Sequence, residues 1–429
     1  MFIDHLIDRI KEKNNPAIIG LDPLLEYVPK TIIKRAFDKH GKTIKGAAEA
    51  IYNFNMGIIN NTYDLVAAIK PQLAYYELYG YWGIKAFYMT IQAAKERGLL
   101  VIADGKRNDI GSTATAYASA YLGEARLGSK TADSVFDVDA LTVNPYLGID
   151  GIRPFITDCE RYGKGIFVLV KTSNASSGQI QDLIVLAPDA KESNLEIYGA
   201  EPNDAEPNDA EMNNAEMNVT EMNVTEMNNN AKMYSTEPND AKMYITEPND
   251  AKMYITEPND AESYNADPND AEPNCAKTNN AEMNGAETSD AEPISVNTGN
   301  TLTTGKTLYE RVAEHVDEWG RDVKGKYGYS SIGAVVGATY PEQMRKLRRI
   351  MKSAYILVPG YGVQGGTGKD AAEAFNDDSL GAIVSASRSI MCAWTHDRWE
   401  GRYTHESYEV AARVEMIRMR DELNSFITK

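Results

Sequence analysis

Leu99-Leu-Val-Ile-Ala-Asp104-Gly-Lys106-Arg-Asn-Asp109-Ile-Gly-Ser-Thr113 is the stretch whose reading decides the fold. Leu99 to Ile102 are apolar without polar alternation, the pattern of a parallel strand covered on both faces. Charge then arrives abruptly. Asp104 and Lys106 are two residues apart, so continued strand geometry predicts that they project to the same side of the sheet, with Asp109 in the loop beyond. Ser112 or Thr113 is the expected cap of a helix over Ala114 to Ala125. A carboxylate, an ammonium and a second carboxylate at the carboxyl end of a buried strand mark where an α/β enzyme keeps its chemistry. In isolation, Asp-x-Lys-x-x-Asp also describes many solvated surface pairs, so its weight comes from its position.

Working outward, similar apolar runs recur at Ala17–Leu21, Leu65–Ile69, Ala140–Val143, Gly165–Val170, Gly333–Gly337, Ala354–Val358 and Leu380–Val384, most of them followed by a helical pattern. Eight strand–helix units predict an α/β chain closed into a (β/α)8 TIM barrel, with an open doubly wound sheet as the competing architecture. Closure would gather the polar residues that end these runs at one rim. Among them are Asp22, Lys70, Thr172, Ser173, Pro359 and Arg388.

One segment breaks the pattern. Residues 194–300, after the fifth strand, divide the barrel into a first part, 1–193, and a second, 301–429. They repeat Glu-Pro-Asn-Asp-Ala in units of five, and Ala241–Asp250 recurs unchanged at Ala251–Asp260. A five-residue period suits neither a helix face nor a strand face, and the composition predicts a disordered acidic loop. A pentapeptide solenoid is the alternative, but regular Leu or Phe to fill its interior is missing. Residues 201–292 hold 22 acidic residues and 4 lysines, which is the whole net charge of −18. The remaining chain is neutral, so nothing in it predicts a nucleic-acid surface or a polybasic membrane patch.

Cys159, Cys275 and Cys392 have no CxxC spacing, and the five histidines do not cluster, so neither a disulfide framework nor a metal site is expected. Met1 to Asn15 reads as an amphipathic helix rather than a signal peptide, and no apolar run reaches bilayer length. A cytoplasmic protein is expected. Tyr75, Tyr76, Tyr117 and Tyr121 read as core or interface aromatics.

The motifs now carry a resemblance. Gly20-Leu-Asp22-Pro, Lys70-Pro-Gln-Leu-Ala-Tyr-Tyr-Glu77, the Asp104–Thr113 stretch, Asn144-Pro-Tyr-Leu-Gly148, Val168-Leu-Val-Lys-Thr-Ser-Asn174, Val336-Gly-Ala-Thr-Tyr-Pro341 and Val358-Pro-Gly-Tyr-Gly-Val-Gln364-Gly-Gly366 together resemble the orotidine 5'-phosphate decarboxylases of the longer bacterial type. Gly105, Asn108 and Ser385-Ala386 depart from that pattern without removing a charge. The resemblance implies conversion of orotidine 5'-monophosphate (OMP) to uridine 5'-monophosphate (UMP) and carbon dioxide, the last step of de novo pyrimidine synthesis, without cofactor or metal.

The chemistry can be set against the residues. Loss of carbon dioxide from C6 leaves a carbanion with no good electron sink, so a fixed cation that also supplies a proton is needed, and Lys106 suits both tasks. Flanking carboxylates favour its ammonium form, the opposite of what a Schiff-base lysine requires. By resemblance Asp104 faces the departing carboxylate, Lys70 holds Asp104 and the ribose in a charge network, and Asp22 accepts from a ribose hydroxyl. Asp109 and Thr113 are implied to reach the partner's site in a homodimer, and Thr172 and Ser173 to contact the base, while Lys171, Asn174 and Asn144 read as supporting or structural. Gln364, Gly365 and Arg388, on the loops after strands seven and eight, read as a phosphate site. The nearest rival is a metal-dependent sugar-phosphate enzyme of the same superfamily, such as a hexulose-phosphate synthase. A scaffolding protein built on a retired barrel is the rival from another class.

Overall fold

The computed structural model describes residues 1–185, 295–298 and 301–427. Eight parallel strands close a barrel: β1 (Ala17–Leu21), β2 (Ala68–Pro71), β3 (Leu100–Arg107), β4 (Ala140–Val143), β5 (Gly165–Lys171), β6 (Ser330–Val336), β7 (Ala354–Val358) and β8 (Ala382–Ala386). Each pairs with its sequence neighbours, and β1 pairs with β8 through Ala17 and Val384. Helices such as Ile44–Thr62, Gly80–Glu96 and Tyr408–Ile427 cover the outside. The TIM barrel expected from eight apolar runs is therefore the observed fold.

Strand edges differ from those read from apolar runs. Leu65, Val66 and Ala67 are buried but precede β2, and Leu380 is buried ahead of β8. Apolar burial continues into the connections, so hydrophobicity alone does not mark where ladder pairing begins. β3 runs the other way, continuing through Asp104 and Lys106 to Arg107 because these polar side chains occupy the open end of the barrel. The following helix is Gly111–Tyr121 with Ile110 at its N-cap, so Ser112 and Thr113 lie inside its first turn and do not cap it. Ala125, expected at that helix's end, belongs instead to an antiparallel hairpin of Glu124–Leu127 and Lys130–Asp133.

The N-terminal helix Phe2–Lys13 presents Phe2, Ile3, Leu6, Ile7 and Ile10 as one buried face. That face joins Ile18, Ile102, Ala140, Phe167 and Ile383 from the strands in a single apolar cluster. Phe2 meets Phe167 edge-on with ring centroids 6.0 Å apart, and a Cβ on Gly165 would lie only 2.3 Å from the Phe2 ring. One end of the barrel is thereby filled with hydrocarbon, leaving the carboxyl ends of the strands as the open mouth. No helix among the described residues is long and apolar enough to cross a membrane.

The chain separates into one unit of residues 1–194 and 272–429, which holds the barrel, and a second of residues 195–271. The second unit lies outside the described residues, and so does the expectation of a disordered segment over 194–300, except at its end, where Ser295–Thr298 forms a strand paired antiparallel with Thr301–Thr304. The flanks of the insertion are described: Ile184 and Val185 pair antiparallel with Thr307 and Lys306. Thr307 then opens the helix Leu308–Trp319 with a capping box to Glu310. Chain exit and re-entry are thus adjacent, an arrangement in which insertion length adds little to the closure cost. Excision of residues 194–300 is expected to leave the thermal unfolding midpoint of the barrel within about 4 °C of the full chain, as read by circular dichroism.

Candidate active site

The mouth holds a cleft of about 690 Å³ whose wall is drawn from the carboxyl ends of the strands. Asp22 follows β1, Lys70 ends β2, Asp104 and Lys106 lie on β3, and Thr172 and Ser173 follow β5. Pro359 and Gln364 follow β7, and Arg388 follows β8. Three cations therefore face two carboxylates, an excess that favours an anionic ligand. The apolar side chains of Leu169, Val335 and Leu357 complete the lining.

At the centre is Asp104, only 7% exposed. Its Oδ2 accepts from Lys70 Nζ at 2.6 Å, and its Oδ1 accepts from Lys106 Nζ at 2.7 Å. Side chains 104 and 106 thus meet on one side of β3, as their spacing predicted. The backbone route is less regular than a continuing strand. Lys106 has φ 45°, in the left-handed region that favours glycine, and the pairing of β3 with β4 shifts register between Ala103 and Arg107. The kink is tied down by Thr142 of β4, whose Oγ1 accepts from Lys106 N at 2.9 Å and donates to Asp104 Oδ1 at 2.9 Å.

Burial alone would raise the Asp104 pKa, but the ammonium groups of Lys70 and Lys106 outweigh it and hold the carboxyl well below the usual range. Burial would likewise lower Lys70, yet the carboxylates of Asp104 and Asp22 keep it above its ordinary value. Asp22 goes the other way: burial pushes its carboxyl up, with Lys70 opposing and Asp104 adding to the rise. Its buried Oδ1 has no hydrogen-bond partner among the described residues, leaving an acceptor that a ligand hydroxyl could satisfy.

On the opposite wall, Gly360, Gly362 and Gly365 all have φ above 80°, so the chain between Pro359 and Thr367 folds into a turn that side chains with Cβ would strain. Gln364 and Val363 of this turn line the cleft, whereas Gly365 does not: its N–H is given to Gly362 O within the turn. Gly365, expected beside Gln364 at the phosphate site, thus sits in the turn behind the lining residues. Arg388 lines the cleft and forms no ion pair with a described residue, so its fork is available to an anion.

Asp109 and Thr113 do not line this cleft. They sit on the loop and helix beyond β3, where the Oδ1 of Asp109 accepts from Ile110 N at 2.8 Å. The Thr172 hydroxyl is already engaged, donating to Asn174 Oδ1 at 2.6 Å and accepting from Gln181 Nε2 at 2.8 Å. Lys171 is fully buried and pairs with Asp182 at 2.6 Å, a supporting part. Tyr76 is core, as expected, but Tyr75 lines the cleft. Sequence reasoning missed Thr142, Ser385 and Ser389 as lining residues, and the buried hydroxyl oxygens of the two serines have no hydrogen-bond partner among the described residues. The available signal for Thr142 was a lone hydroxyl inside the apolar run Ala140-Leu-Thr-Val143. Among the described residues no group of three His, Cys, Asp or Glu side chains could hold a metal ion.

Comparison with known proteins gives the family of the chain that carries this site. A family model described as orotidine 5'-phosphate decarboxylase / HUMPS family matches residues 38–255. The orotidine 5'-phosphate decarboxylase of Caldicellulosiruptor saccharolyticus is 31% identical over 427 residues, spanning 100% of this chain and 99% of the relative. That of Rhodopirellula baltica is 31% identical over 422 residues, with 98% of each chain covered. Among solved structures, a putative orotidine-monophosphate-decarboxylase from Toxoplasma gondii matches with a TM-score of 0.57 at 21% identity, covering 99% of this chain and 98% of the other. A putative orotidine 5'-phosphate decarboxylase from Streptomyces avermitilis matches with a TM-score of 0.55 at 20% identity, covering 100% and 96%. The structural likenesses bear on the fold.

The buried charge chain has a stability consequence. Asp104→Asn leaves the Lys70 ammonium, 5% exposed, without its closest counter-charge. At neutral pH it is expected to destabilise the fold by roughly 3–5 kcal/mol in urea unfolding. The native Asp104 value lies below that of an unfolded aspartate, ~3.9. The carboxylate's contribution is therefore complete above that value and lost as pH falls through the native one, so the two proteins converge only in strong acid.

Proposed function

The chain belongs to the orotidine 5'-phosphate decarboxylase family, and we propose that it decarboxylates OMP to UMP at this cleft, with Lys106 as the proton donor. The observation that carries the reading is the unbroken Lys70–Asp104–Lys106 contact chain at the mouth of the barrel.

The mechanism proceeds from charges already placed. The C6 carboxylate of the substrate enters beside the ionised Asp104, and their repulsion is relieved as carbon dioxide departs. The C6–carboxyl bond breaks and its electron pair stays on C6. Lys106 places an ammonium at that carbon, stabilises the developing anion, and then transfers a proton from Nζ to form the C6–H bond. Lys70 keeps Asp104 ionised and fixed throughout, and Asp22 is the acceptor for a ribose hydroxyl. Arg388 and Gln364, beside the glycine turn, take the phosphate. Thr172 and Ser173 border the base, and with the Thr172 hydroxyl already paired, contact there falls to Ser173 or to the backbone.

A homodimer belongs to the same proposal. Leu78 and Tyr81 after β2, the latter in the first turn of the helix Gly80–Glu96, Ile110 after β3, and Tyr146 and Leu147 after β4 are exposed in the connections that follow successive strands. Such an apolar patch calls for a partner surface. Asp109 and Thr113 lie in the same region outside their own chain's cleft, so a second copy seated on this rim would receive them.

A spectrophotometric assay tests the activity. The purified chain is expected to consume OMP, to continue doing so after treatment with a chelator, and to leave hexulose phosphates untouched, which separates it from the metal-dependent branch of the superfamily. Lys106→Ala is expected to lower turnover by at least about 10³-fold while a UMP analogue still binds in calorimetry. Appreciable residual decarboxylation by that variant would remove Lys106 from its role.

A further inference from the structure

Thr142 is buried on β4 and makes two hydrogen bonds with the same oxygen. A hydroxyl has one proton to give and lone pairs to receive. Lys106 N–H can only donate, so at that contact the hydroxyl accepts, and its single proton is therefore committed to Asp104 Oδ1. We infer that Thr142 is a positioning residue for the decarboxylation, its hydroxyl holding both the Asp104 carboxylate and the Lys106 backbone in the reactive arrangement. The inference rests on the reading of the site proposed above.

Two features give the hydroxyl this task. First, Asp104 Oδ1 is shared between Lys106 Nζ at 2.7 Å and Thr142 Oγ1 at 2.9 Å. When Lys106 turns to the substrate carbon and gives up its proton, Oδ1 loses the lysine. Thr142 remains as the donor that keeps a buried carboxylate oxygen satisfied and aimed, while Lys70 holds only Oδ2. Second, Lys106 is in the left-handed region, and the amide that donates to Thr142 belongs to this residue. That bond restrains the kink that turns the Lys106 side chain toward Asp104. Both tasks depend on one atom that no other described side chain duplicates for Lys106 N.

Thr142→Val keeps the branched shape suited to a strand but loses both bonds, and Thr142→Ser keeps both bonds but loses the methyl group. The valine variant is expected to lose about 10- to 100-fold in kcat for OMP with KM changed less than about threefold, and the serine variant to recover most of that loss. In hydrogen exchange, the Lys106 amide is expected to exchange faster by about tenfold or more in the valine variant and near the unsubstituted rate in the serine variant. Unchanged kcat in the valine variant, or a serine variant as impaired as valine, would overturn the inference. If the unsubstituted chain fails to turn over OMP, the functional reading falls on its own. Lys106 amide exchange then decides for the positioning contact: faster exchange with valine than with serine upholds it, and equal exchange overturns it.

Discussion

The whole site depends on keeping one carboxylate ionised between two ammonium groups in a place nearly closed to water. Asp104 meets Lys70 on one oxygen and Lys106 on the other. A buried carboxylate needs at least one counter-charge, because a buried charge without one is strongly disfavoured. Lys70 is the buried, permanent partner, whereas the Lys106 side chain is 44% exposed and faces the cleft. The asymmetry suits the proposed division of labour, in which one cation anchors the acid and the other is exposed to the cleft.

Much of this was legible in the chain. Asp104 and Lys106 share a side because a strand repeats every two residues, and the rim residues converge because a closed parallel barrel brings all strand ends together. The glycine-rich stretch Pro359–Gly366 does line the mouth through Gln364, where the loop after strand seven was expected. What local pattern could not show was contact across strands. Thr142 looks like one polar residue in a hydrophobic run, and only the pairing of β3 with β4 brings it under Lys106. Tyr75 and Tyr76 are adjacent in sequence yet one lines the cleft and the other is core, a distinction set by helix orientation. The left-handed backbone at Lys106 was equally invisible, since nothing in a lysine side chain requests it.

The barrel's two ends have opposite characters. Hydrocarbon from the N-terminal helix fills one end, so the interior there is anchored mainly by apolar contact. All the charge required for chemistry is then concentrated at the other end, where the connections are long enough to carry it. Arg348 shows the cost of departing from that division: buried away from the mouth, its guanidinium is pushed down to about 10 and survives by donating to the carbonyls of Ala354, Ala374 and Gly381.

Ile184–Val185 and Lys306–Thr307 pair beside β5 and close a doorway through which about a quarter of the sequence leaves and returns. A doorway whose two posts touch is indifferent to how much passes through it. Tandem units of five and ten residues are the kind of coding sequence that copying errors expand or contract in frame. A gain or loss of whole units would therefore change the mass of this chain while leaving the barrel's strands and their rim residues as they are.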